Sequence, residues 1–177
     1  MRKKDIAELV ELAKPFFVAK GYITETPSEK EMKALTKVVE ILREGANTLK
    51  EIAELADIYY VDSFVLDTVT EEMNKNERKS VERLYHAIED ETGKKSIKLF
   101  MEKLENANED MTEEEVKAML QSTLEEIGEG PGKVLMPLRV VITGRGKGSE
   151  LYNVVSIIGK TRTLNRINEM VKKYNLF

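Results

Sequence analysis

Thr112-Glu113-Glu114-Glu115-Val116-Lys117-Ala118-Met119-Leu120-Gln121-Ser122-Thr123-Leu124-Glu125-Glu126-Ile127 reads as helix from its first residue to its last. Thr112 and Glu115 form a capping box, in which each side chain answers the other's backbone N–H. Val116, Met119, Leu120, Leu124 and Ile127 return at helical spacing and make one apolar stripe. The same grammar recurs on both sides. Ser28 with Glu31 opens a helix carrying Leu35, Val38, Val39, Ile41 and Leu42, which Gly45 ends. Thr48 with Glu51 opens a short one through Leu55 and Ala56.

Elsewhere the pattern is helical with interruptions. Ile6, Leu9, Val10, Ala13, Phe16 and Phe17 predict a helix over 5–20, with a kink or early stop at Pro15. Val81, Leu84, Tyr85 and Ile88 predict another, broken at Gly93, and Ile97, Leu99, Phe100, Met101 and Leu104 a further one. Residues 58–70 are ambiguous: Tyr59, Tyr60, Val61, Phe64, Val65 and Leu66 are β-prone but also allow an irregular stretch or a short helix. Gly128 to Gly132 is the strongest breaker. Beyond it, 132–144 is too apolar for an exposed loop, and Pro137 predicts an irregular segment. Ser149 is placed to cap a helix that Gly159 stops, and a last helix begins near Thr161. The expectation is an all-α chain of two packed helical subdomains, 1–74 and 75–177. The boundary falls in the charged, Asn-containing run around Asn74 and Asn76.

The 177 residues carry 34% charged and 41% hydrophobic side chains, with 10 Gly and 4 Pro, a composition that folds. The absence of cysteine excludes disulfides, thiolate metal sites and a cysteine nucleophile. With His86 the only histidine, no two-histidine metal site can exist, and no metal ligands are expected. No apolar run approaches a membrane span, and Met1 to Asp5 lacks the apolar stretch of a secretory signal, so a cytoplasmic protein without membrane contact is expected. The net charge of −4 hides a division: −3 over 1–80, −8 over 81–130 and +7 over 131–177. The basic end either pairs with the acidic middle or is offered to a polyanion; charge alone does not choose.

Gly144-Arg145-Gly146-Lys147-Gly148-Ser149 stands before a helix, where backbone N–H groups and the dipole favour anions. It is not a Walker A loop: the required earlier glycine is Val141, and Gly146-Lys147 is followed by Gly148. It is an anion-binding turn or a plain exposed connection. His86 lies on a helical stripe among acids and is expected to be non-catalytic. The Glu113–Glu115 run complements a helix N-terminus rather than forming an acid–base pair. Tyr59 and Tyr60 stack on bases or pack in a core; packing is the expectation. Arg139 stands in an apolar stretch and needs a partner if buried, or offers its planar fork to a base or phosphate. Two functions stay open: nucleic-acid binding, and a non-catalytic helical scaffold or protein-interaction domain with a basic end.

The stretch from Gly132 to Gly144 resembles a signature of bacterial glutamyl-tRNA synthetases. Leu151, Gly159-Lys160 and Arg162-Thr163-Leu164-Asn165-Arg166-Ile167 continue it, and Leu12-Ala13-Lys14-Pro15-Phe16 and Thr48-Leu49-Lys50-Glu51 agree upstream. The resemblance implies the anticodon-binding region of that class I family, two helical subdomains known as an α-helical cage. Met1-Arg2 matches the end of a segment just before the first. It implies a fragment of a longer synthetase that does not itself aminoacylate, has no cofactor of its own and acts as a monomer. ATP and Mg then belong to the parent, whose catalytic domain is joined in cis. The family's base contacts fall on Arg139, Gly148, Ser149 and Leu151, though some relatives have Thr-Pro where Gly148-Ser149 stands. Phosphates fall to Lys133, Arg145, Lys147, Lys160 and Arg162. Enzymes restricted to tRNA-Glu often place an arginine where this chain has Gly45, which implies that tRNA-Gln is also accepted unless Arg43 supplies the guanidinium.

Overall fold

The computed structural model describes residues 4–177; Met1-Arg2 lies outside them. The described residues are helical, with no strand. They form two compact units, one through Val61 and one from Asp62 to Phe177.

In the first unit, α1 (Ile6–Ala19) packs against α2 (Glu29–Leu42) and α3 (Leu49–Leu55), and α4 (Asp57–Tyr60) follows α3. The carboxylate of Asp5 caps α1, accepting from the backbone of Ala7 and Glu8. Both expected capping boxes are formed. Phe17, Leu35, Val38, Val39, Ile52 and Tyr59 make the core. Tyr60 stacks on Tyr22, with ring centroids 4.8 Å apart, so both tyrosines of the pair 59–60 are packed rather than presented. Pro15 does not stop α1, which runs four residues beyond it. Pro15 and Glu11, whose carbonyl loses its partner, are both exposed, so water can take the missing hydrogen bond.

In the second unit, the irregular stretch after Val61 leads to α5 (Lys75–Glu89), α6 (Glu91–Glu105), α7 (Glu113–Ile127), α8 (Pro131–Thr143) and α9 (Leu151–Lys173). α8 is the central element and packs against α5, α6, α7 and α9. It corrects the irregular segment expected at 132–144. Pro131 occupies its first turn, where a missing N–H costs nothing, and Gly144 caps it in the left-handed conformation. An interior proline costs about 3 kcal/mol. Val134, Leu138, Val140, Val141 and Ile142 are all fully buried, and each contributes roughly 1.5–3 kcal/mol. Burial outweighs the proline.

Gly93 is a second correction. It is not a breaker but a buried residue within α6, whose start is capped by Asp90. A Cβ there would lie 2.0 Å from the Ala87 carbonyl oxygen and 3.1 Å from the Pro137 ring. Its missing side chain is what lets α5, α6 and α8 meet. Composition placed the unit boundary after Asn74; the compact units divide after Val61. The reason is that Asp62 to Leu66 is bound to α9: Arg162 pairs with Asp62 at 2.6 Å, Lys173 donates to Ser63 Oγ and the Phe64 carbonyl, and the Leu66 N–H donates to Tyr174 Oη at 2.8 Å. Asn74 instead opens α5 with a capping box to Glu77.

Gly159 interrupts α9 with φ 81° and ψ 172°. The loop after α6 closes this break. The Glu109 carboxylate accepts from the Thr161 N–H and hydroxyl, and the Glu109 carbonyl accepts from the Lys160 N–H. Glu109 thus caps the second half of α9 from outside the helix.

Candidate nucleic-acid interface

A hydrogen bond from α8 spans the turn between α8 and α9. Arg139, half-buried on α8, donates from Nη1 to the Ser149 carbonyl at 2.7 Å. This answers the partner question its apolar surroundings raise, and it joins α8 to the segment that starts α9. Ser149 does not cap α9 with its hydroxyl, contrary to the sequence expectation; Glu150 holds the cap position without a side-chain hydrogen bond. Gly148, exposed and with φ 134°, allows the turn. Leu151 is buried beneath it.

Arg139 and Leu151 line a pocket of about 250 Å³ whose wall is mostly apolar, supplied by Leu120, Leu124 and Leu135. Tyr152 and Lys117 close one side. The Lys117 ammonium lies 4.4 Å from the centroid of the Tyr152 ring and donates to Glu114 at 2.9 Å. That hydrogen bond, with the charges of Glu114 and Glu113 behind it, raises the Lys117 pKa above its ordinary value. Gln121 also lines the pocket, its amide held by Glu125 at 2.7 Å. Sequence reading missed Lys117, Gln121 and Tyr152. The spacing of Lys117, Gln121 and Leu124 at i, i+4 and i+7 marks a shared stripe, but nothing local says which neighbour that stripe faces.

The expected phosphate contacts divide. Arg145 and Lys147 are exposed on the turn, and Gly146 between them packs on Leu84 and Met136. Lys133 is exposed at the start of α8 and pairs with Glu129 at 3.0 Å. Lys160 is turned inward: its Nζ donates to the Glu105 carbonyl at 2.8 Å and the Ala107 carbonyl at 3.0 Å. Arg162 is engaged with Asp62. Arg43 and Gly45 sit at the end of α2 in the first unit. Gly45 is exposed, and Arg43 is folded down so that only 23% of its side chain is open, with Nε 3.9 Å from Glu44. His86 is an exposed residue of the last turn of α5. Among the described residues, no group of three or more His, Cys, Asp or Glu could hold a metal ion, and no helix is long and apolar enough to cross a membrane.

Residues 8–171 match a protein family described as an anticodon binding domain. The glutamate–tRNA ligase of Fusobacterium nucleatum is 54% identical over 99% of this chain and 35% of its own length. That of Carboxydothermus hydrogenoformans is 35% identical over 94% of this chain and 32% of its own. The chain therefore spans about a third of the length of these relatives. A crystal structure of a glutamate tRNA ligase from Elizabethkingia meningosepticum shares the fold, with a TM-score of 0.72 at 21% identity, over 98% of this chain and 30% of that one.

Proposed function

The chain belongs to the anticodon-binding domain family, and from that premise we propose that it is the tRNA-reading part of a glutamate–tRNA ligase. The observation that carries this is the Arg139–Ser149 bond. It brings an arginine and a helix-start turn together over a small, mostly apolar pocket. Anticodon bases are unstacked, so their edges are available to such a site. Arg139 supplies N–H donors to a base edge, Leu151 and its apolar neighbours the floor, and Gly148 and Ser149 a backbone that RNA can approach. Arg145, Lys147 and Lys133 hold phosphates, which position the RNA without specifying it. Lys160 and Arg162 reach a phosphate only by leaving their present partners, so their first role is in the fold.

We extend the proposal to tRNA choice. Gly45 offers no side chain to the first anticodon base and Arg43 is folded down, so the chain accepts tRNA-Gln beside tRNA-Glu. The ATP and Mg of the parent reaction require no residue of this chain, and the catalytic half acts in cis. The test is titration with tRNA-Glu, tRNA-Gln and an unrelated tRNA at two salt concentrations. Binding of the first two alone supports the full reading. Preference for tRNA-Glu alone removes the Gly45 argument. Equal binding of all three removes anticodon reading by this chain.

A further inference from the structure

We propose that Tyr152 is a stacking platform for the base that enters the α7–α8–α9 pocket, and that Lys117 is its removable cover. The inference rests on the anticodon reading above and adds two residues that the family resemblance does not supply. A pocket of about 250 Å³ is below the roughly 300–1,000 Å³ of sites for drug-sized ligands, a size that suits one base better than a larger group. Arg139 provides polar contact on one side. The aromatic face needed is that of Tyr152, which lines the same pocket from the first turn of α9, directly after Leu151.

That face is already occupied. Lys117 covers it at 4.4 Å from the centroid, a cation–π geometry. The cover is loosely held. Besides the ring, the ion pair given to Lys117 among the described residues is Glu114, and their side chains are 41% and 81% exposed, so the pair can swing away together. A base stacks its whole π-face on the ring, whereas the ammonium, which has no π-face, holds the ring only by a cation–π contact. Displaced, the ammonium remains beside the pocket mouth, where the backbone of the entering nucleotide carries its phosphate. Lys117 is thereby a cation for RNA on a helix that is otherwise acidic at this end, with Glu113, Glu114 and Glu115 in its first turn. Without RNA, Glu114 neutralises it and the ring is hidden, which suppresses binding of RNA that has no unstacked base to offer.

The experiment uses this chain and a hairpin RNA carrying the tRNA-Glu anticodon loop, with each anticodon base in turn replaced by an abasic nucleotide. Tyr152→Leu weakens binding of the intact hairpin about tenfold and has no effect on one of the abasic hairpins, the one lacking the stacked base. Tyr152→Phe binds as the parent does. Lys117→Met keeps that same abasic sensitivity but lowers the slope of log affinity against log salt by about 0.7. If Tyr152→Leu weakens all hairpins equally, or if Lys117→Met leaves the slope unchanged, the proposal is overturned. Should Tyr152→Leu lower the melting temperature, the Lys117 slope decides alone. If the unaltered chain binds intact and abasic hairpins equally, the anticodon reading itself fails, a result distinct from both.

Discussion

The basic end of the chain contains two regions of similar charge and opposite employment. On the turn between α8 and α9, Arg145 and Lys147 are exposed, and Lys147 has no ion-pair partner among the described residues. On the second half of α9, most of the cations are engaged by the protein. Lys160 holds two carbonyls at the end of α6, Arg162 holds Asp62, and Lys173 holds Phe64. Arg166 is 1% exposed, donates to the Ile142 carbonyl at 3.1 Å and lies over the Phe64 ring at 5.0 Å. The net charge of +7 is therefore not a measure of the surface offered to RNA. Much of it caps helix ends and straps the segment after Val61 to α9.

The comparison breaks most visibly at Arg166. Arg166→Met leaves the Ile142 carbonyl buried without that partner and is expected to cost about 2–3 kcal/mol in urea denaturation. A loss below about 0.5 kcal/mol would place Arg166 with the surface cations. Lys160→Met sharpens the contrast with Lys147→Met. The first costs about 1–2 kcal/mol of stability and leaves the salt slope of tRNA binding unchanged. The second leaves stability within about 0.5 kcal/mol and lowers the slope by about 0.7. Arg162→Met, at an ion pair whose Asp62 side chain is 71% exposed, costs only about 0.2–1 kcal/mol.

The smallest effect tests the acidic partners. The carboxyl of Glu115 is held below its ordinary pKa of 4.5 by the backbone and then the hydroxyl of Thr112, and that of Glu31 by the hydroxyl and then the backbone of Ser28. A lowered carboxylate pKa stabilises the fold above the ordinary value and stops doing so as pH falls through the lowered one. Melting temperature below pH 4.5 should therefore decline less steeply in Thr112→Val than in the parent, and by the same comparison Lys160→Met should leave that slope alone.

What was legible in the sequence was local. Three capping boxes and their apolar stripes were readable because donor, acceptor and helix lie within four residues. The fourth, Asn74 with Glu77, carries the same signal but stands in a charged run that reads equally as a boundary. Pro137 and Gly93 were misread for one shared reason. Each is a poor helix former alone, and each is held in its helix by packing that local sequence does not show: burial of the α8 side chains outweighs Pro137, and Gly93 leaves room for the Ala87 carbonyl and the Pro137 ring. The Arg139 site was half legible. Its oddity in an apolar stretch pointed to a partner, but Ser149 as that partner depends on the turn. Lys160 was beyond reach of local reading, since its carbonyl partners are more than fifty residues away along the chain.

The break at Gly159 has a consequence for how α9 moves. A continuous helix of 23 residues would exchange its amide protons as one cooperative block. Here Glu109 starts a fresh hydrogen-bond ladder at Thr161, so opening on one side need not propagate to the other. The turn that carries Leu151 and Tyr152 can fray to admit a guest while the rod behind it, moored to the segment after Val61, keeps its protons for far longer.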